Sequence, residues 1–179
     1  MTRAECLIGL TVAFFAQRAG LRLLTAESCT GGLAASWVTQ RAGSSAWFEG
    51  GVVSYSNDLK RLVLGVSQAD LDGFGAVSEP VARAMAEGAV ARLGQPGAAY
   101  AACAITGVAG PSGGSPEKPV GTVWFAWAFP HQPTRAKRRI FRGDRQAIQQ
   151  QAAWFALSEW CAGVTAPSDQ MKPTEGGPH

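Results

Sequence analysis

The chain has 179 residues, of which 46% are apolar, and a formal net charge of +3. That length supports one domain with a core of its own. The small charge excess argues against nucleic-acid binding, and no apolar run reaches the roughly 18 residues of a membrane span.

The four cysteines, Cys6, Cys29, Cys103 and Cys161, include no C-x-x-C pair, which argues against a zinc site. Three sit in apolar stretches and read as buried thiols, as expected of a protein in the reducing cytoplasm. The histidines are His131, in a turn, and His179, the last residue, so neither falls near a plausible site. A hydrolase built on this sequence would need a general base other than histidine.

In chain order, residues 4–19 carry apolar positions at helical spacing and stop at Gly20. Arg3, Glu5 and Arg18 interrupt this apolar stretch and no small-residue cleavage site stands out, so it reads as a helix and not as a signal peptide. LRLLTA (21–26) reads as a buried strand, AESCTGG (26–32) as a polar junction, and LAASWVTQRA (33–42) as an amphipathic helix. After the turn GSSAWF, EGGVVSYS (49–56) alternates like a strand. NDLKRLVLG (57–65) reads as a helix capped by Asn57 and closed by Gly65, and VSQADL begins another short one. The turn GFGAVS leads into EPVARAMAEGAVARLG (79–94), a helix with Pro80 in its first turn. AAYAACAIT (98–106) is a buried strand, VAGPSGGSPEKPV (108–120) a glycine- and proline-rich loop, and GTVWFAWAF and RAKRRIF are two further strands. A helix opened by Asp144 follows, and from about Val164 the composition turns to Thr, Pro, Gly and charge. There is no internal repeat.

Early alternation of strands and helices, followed by gathered strands, predicts an α/β fold: a three-layer α/β/α sandwich on a mixed sheet. The expected domain is 1–163, with 164–179 a disordered tail.

Four stretches carry chemistry. In AESCTGG a strand ends and a helix begins, where ligands gather in open α/β sheets. Two readings stand. Ser28 and its neighbours are helix caps, or Ser28 is a nucleophile with the amides of Cys29, Thr30 or Gly31 holding an oxyanion, the glycines letting substrate approach. Cys29 is a rival nucleophile but has no nearby histidine to make its thiolate. In SYSNDLK, Tyr55, Asn57 and Lys60 can face one direction. The alternatives there are a cap with a solvated lysine, or a lysine base of lowered pKa. The long loop lacks P-loop and G-x-G-x-x-G spacing. It is either a mobile surface loop or an anion nest to which Thr106, Ser112 and Lys118 contribute. In FRGDRQAI, Arg142 and Arg145 have the reach for a phosphate, beside the simpler reading of a capped, solvated helix start.

Together, LTAESCTGGLAA, AGSSAWFEGGVVSYSNDLK, GAVSEPVA, AITGVAGPSGGSPEKPVGTVWFA and FRGDRQAIQQQA, in this order, resemble the CinA C-terminal family and, within it, the stand-alone nicotinamide-nucleotide amidases. The resemblance runs from about Glu5 to Gly163. It implies an α/β sandwich and a cytoplasmic serine amidohydrolase with a Ser/Lys dyad, no metal and no cofactor. Such an enzyme converts nicotinamide mononucleotide and water to nicotinic acid mononucleotide and ammonia, salvaging pyridine nucleotide towards NAD.

The family serine falls on Ser28 and the family lysine on Lys60. Tyr55 and Asn57 match the adjacent positions, expected to orient the dyad or the substrate. Thr106 and the loop residues Gly107, Gly110, Ser112, Gly113 and Gly114 match the stretch expected to hold the nucleotide, and Arg145 is the phosphate candidate. Thr30 and Gly31 complete the expected substrate-binding set, with Glu27 an orienting carboxylate for Lys60 or the substrate. The resemblance also implies a homo-oligomer with a small-molecule substrate, no nucleic-acid or membrane partner, and no room for the N-terminal domain that some members carry. The alternatives are a non-catalytic nucleotide-binding accessory protein of the competence or damage-inducible kind, and a DNA-associated competence factor.

Overall fold

The computed structural model describes residues 3–165. Its elements follow the predicted order. They are α1 (Arg3–Ala19), β1 (Leu21–Glu27), α2 (Leu33–Thr39), a short 3-10 turn (Ser44–Ala46), β2 (Phe48–Val53), α3 (Asn57–Leu64), α4 (Gln68–Phe74), α5 (Glu79–Leu93), β3 (Ala99–Gly107), β4 (Thr122–Ala128), β5 (Arg135–Ile140) and α6 (Arg145–Thr165). The last helix runs through Val164 and Thr165, two residues past the composition change. The rest of the expected tail lies outside the described residues. Among the described residues no helix is long and apolar enough to cross a membrane.

The sheet order is β2-β1-β3-β4-β5. β1 lies parallel to both β2 and β3, whereas β3, β4 and β5 pair antiparallel. Parallel neighbours need crossover connections, and the helices supply them. The antiparallel β3 and β4 need only a loop. It is long, but its base is closed by Val108 and Gly121, which exchange backbone hydrogen bonds with Thr122 and Val108.

Side-chain alternation along the strands splits the core in two. Leu23, Ile105, Phe125 and Trp127 face a layer of α1, α2 and α6. Leu24, Ala26, Ala104 and Ala126 face α3, α4 and α5. The second face is rich in alanine, so α5 lies close to the strands. Gly88 of α5 lets it meet the end of α3, since a Cβ there would overlap the Leu64 carbonyl. This contact fixes the helix that carries Lys60.

β1 and β2 end side by side, with Glu27 opposite Val53. The Ser54 N–H donates to the Glu27 carbonyl at 2.8 Å and extends this pairing one residue beyond β2. The residues that follow each strand, Ser28 and Ser54, are therefore neighbours at the carboxyl edge of the sheet.

Candidate active site

After β1 the alternation sends Glu27 to the α2 face, where it is 1% exposed. Its carboxylate accepts from the Thr30 hydroxyl at 2.7 Å and from the amides of Gly32, Ala34 and Ala35 at 3.1, 3.1 and 2.9 Å. A helix start leaves its first amides without intrahelical partners, and here one carboxylate from the preceding strand satisfies them. It reaches over because Gly31 and Gly32 turn the chain at φ of 64° and 95°, a left-handed region that suits glycine.

This corrects three expectations. Glu27 does not orient Lys60 or the substrate. The Thr30 hydroxyl belongs to Glu27. Gly31 serves the turn and is not among the residues lining the cavity described below, and what Thr30 keeps for a substrate is its backbone N–H, not its hydroxyl. The oxyanion reading changes as well, because the Gly31 N–H is committed to the Ser28 carbonyl at 3.1 Å and the Ser28 N–H to Ile105 at 2.9 Å. Among the described residues, the Thr30 N–H has no acceptor and the Cys29 N–H has none beyond its own thiol.

After β2 the cap is Ser56, whose side chain accepts from the Leu59 amide at 3.1 Å. Asn57 is the first residue of α3 and not its cap, so its amide is left free to line the cavity. One turn on, Lys60 is 1% exposed. Its Nζ lies 3.0 Å from Ser28 Oγ, 2.7 Å from the Ser54 carbonyl and 3.4 Å from that of Tyr55.

No ion pair among the described residues includes Lys60, and burial holds its pKa below lysine's ordinary value. The Ser54 and Tyr55 carbonyls only accept, so two of its N–H bonds go to them, and the third partner, the Ser28 hydroxyl, accepts from the ammonium and can donate to the amine once the lysine is deprotonated. Cys29 differs: burial pushes its thiol up to about 12, so it is not a ready nucleophile.

Ser28, Lys60, Cys29, Tyr55 and Asn57 line a cavity of about 270 Å³. Its opposite wall is β3 and the long loop, from Thr106 to Gly110 with Ser112 and Gly113, and Arg145 stands at its edge. The Thr106 hydroxyl donates to the Ala76 carbonyl at 2.8 Å, which binds the GAVS turn to the end of β3. Gly114 packs against Val120 outside the cavity. Lys118 is also outside, its Nζ on the Phe74 carbonyl at 2.7 Å. Arg145 donates to the Gly110 carbonyl at 2.8 Å and to the Tyr55 hydroxyl at 2.9 Å. The Tyr55 ring therefore meets Arg145 and not the dyad, which Tyr55 touches only through its carbonyl.

The sequence reading missed Ala76 and Val77 as cavity wall, although GAVS stood among the recognisable stretches. It also missed Gln149, which donates to the Cys29 carbonyl at 2.8 Å from 120 residues away.

The model of the CinA C-terminal domain family matches residues 9–162. A protein of Escherichia coli K12 named nicotinamide-nucleotide amidohydrolase PncC is 51% identical over 138 residues, covering 77% of this chain and 81% of that protein. A CinA-like protein of Anaeromyxobacter dehalogenans is 54% identical over 149 residues, 83% of this chain but 35% of the longer relative. The solved competence/damage-inducible protein of Agrobacterium tumefaciens superposes with a TM-score of 0.82 at 41% identity, covering 90% of this chain and 96% of that one.

Proposed function

Because this chain belongs to the CinA C-terminal domain family, we propose that it is a nicotinamide-nucleotide amidase. It would hydrolyse the carboxamide of nicotinamide mononucleotide to nicotinic acid mononucleotide and ammonia, with Ser28 as nucleophile and Lys60 as general base. The observation that carries this reading is the Lys60 Nζ, buried, without a carboxylate partner among the described residues and 3.0 Å from Ser28 Oγ.

In this mechanism neutral Lys60 takes the proton of Ser28 as Oγ bonds to the carboxamide carbon. The carbonyl oxygen becomes an oxyanion that accepts from the Cys29 and Thr30 N–H groups. The Lys60 ammonium then protonates the amino group, the C–N bond breaks and ammonia leaves. Water, deprotonated by Lys60, attacks the ester carbon, and the proton returns to Ser28 as the acid is released. Arg145 meets the phosphate by exchanging its neutral Tyr55 partner for an anion. The same reading has the product return towards NAD in the cytoplasm, with the chain acting as a homo-oligomer.

Ammonia release is measured on nicotinamide mononucleotide beside nicotinamide and its riboside. The expected result is turnover of the mononucleotide, abolished in Ser28→Ala and retained after iodoacetamide has labelled the exposed Cys6. Undiminished release from Ser28→Ala would contradict the assignment.

A further inference from the structure

We propose that Gln149 is a positioning residue that holds the Cys29–Thr30 peptide so that its N–H serves the oxyanion. The proposal deepens the amidase reading and rests on it. In a trans peptide the C=O and N–H of one unit point in opposite directions. The Cys29 carbonyl receives the Gln149 side-chain amide at 2.8 Å. Cys29 is a wall residue of the cavity and Gln149 is not, so that carbonyl is drawn outward towards α6. The N–H on the same unit, that of Thr30, therefore points the opposite way, away from Gln149 and α6.

The preceding unit is held in a similar way. The Ser28 carbonyl accepts from Gly31 at 3.1 Å, which fixes the Cys29 N–H. Neither donor has a backbone acceptor among the described residues, the Cys29 N–H meeting only its own thiol, although Cys29 and Thr30 are only 5% and 4% exposed. Buried backbone N–H groups are nearly always paired. Two adjacent ones, beside a hydroxyl and an amine 3.0 Å apart, are a site waiting for an acceptor. Of the two, only the Thr30 donor depends on a side chain, and that side chain is supplied by another element. If Gln149 is lost, the peptide is free to rotate and present its carbonyl, the wrong end of the dipole, to the developing negative charge.

The test compares Gln149→Met, which keeps shape and loses the donor, with Gln149→Lys, which keeps a donor, and Gln149→Glu, which opposes a carboxylate to the carbonyl. Loss of a single oxyanion donor costs roughly 10²–10³ in kcat. The Met variant is expected to lose about tenfold or more in kcat with KM within twofold of the parent. Glu loses more and Lys recovers most of the loss, while the pH limb set by Lys60 does not move. Thermal melting of each variant checks folding.

The same variants are run with p-nitrophenyl acetate. It acetylates an activated serine with loss of p-nitrophenolate, the serine proton passing to Lys60, and it needs the same oxyanion donors. A parent that turns over no mononucleotide but is acetylated at Ser28 would sink the substrate assignment, and the variants' acetylation rates would still read the positioning role. A Met variant within twofold of the parent in both reactions, or a loss confined to KM, would overturn the proposal, as would a parent inert to both reagents.

Discussion

The junctions after β1 and β2 are neighbours at one edge of the sheet, and both lead into a helix, yet they are capped in opposite ways. After β2 a serine does the usual work: Ser56 accepts from the Leu59 amide three residues on. After β1 the cap comes from inside the strand, where the buried Glu27 carboxylate reaches forward to Gly32, Ala34 and Ala35. In both cases a neighbour takes the capping role and the residue with chemistry is released from it. Ser28 keeps its hydroxyl for Lys60, and Asn57 keeps its amide for the cavity. Capping and catalysis are assigned to different side chains within a few residues of each other.

The largest effect expected from breaking this arrangement is on turnover. Ser28→Ala and Lys60→Ala should each lower kcat/KM for ammonia release by roughly 10³ or more, and the double variant should lose little beyond either single one, because the two act as a unit. Additive losses would mean that they act separately.

Next comes Glu27. Its removal strands a buried hydroxyl and three amides, each worth about 1–3 kcal/mol when unpaired. Glu27→Ala should therefore lose about 3 kcal/mol or more in urea unfolding, and Glu27→Gln less. The Ser56 cap is the ordinary one, so Ser56→Ala should cost about 1 kcal/mol by the same measurement. If the two caps proved equal, the contrast between the junctions would fail.

The smallest effect is on the pH dependence of stability. Lys60 is held below lysine's ordinary value by burial. Between its folded value and about 10.4 the unfolded chain binds more protons, so stability should rise with pH across that window. Below the folded value the cost of burying the ammonium is present in full. Unfolding titrations should show this slope in the parent and lose it in Lys60→Met. A slope unchanged by the substitution would place its origin elsewhere.

Much of this was legible in the sequence. The element order, the mixed sheet, and the meeting of Ser28, Lys60 and the glycine-rich loop follow from periodicity, turn residues and motif resemblance. What was not legible depends on direction and reach. The sequence reading put the cap on Asn57, one residue late, because the exact start of a helix is set by the angle at which the chain enters it, which spacing does not record. Glu27 read as an orienting carboxylate for Lys60 or the substrate because its actual partners become reachable only once Gly31 and Gly32 turn the chain back over it. Arg145 and Tyr55 are 90 residues apart and Gln149 and Cys29 are 120 apart, contacts that no local pattern records. Lys118 read as a charge for the nucleotide, but its amine reaches the Phe74 carbonyl, which sequence spacing does not bring near.

The central claim is that a buried, neutral Lys60 activates Ser28, and the pH dependence of kcat/KM for ammonia release from nicotinamide mononucleotide tests it most directly. The expected profile rises with pH along a limb centred below lysine's ordinary value, and Lys60→Ala abolishes that limb along with most of the activity. A limb at lysine's ordinary value, or one that survives in the residual activity of Lys60→Ala, would contradict it.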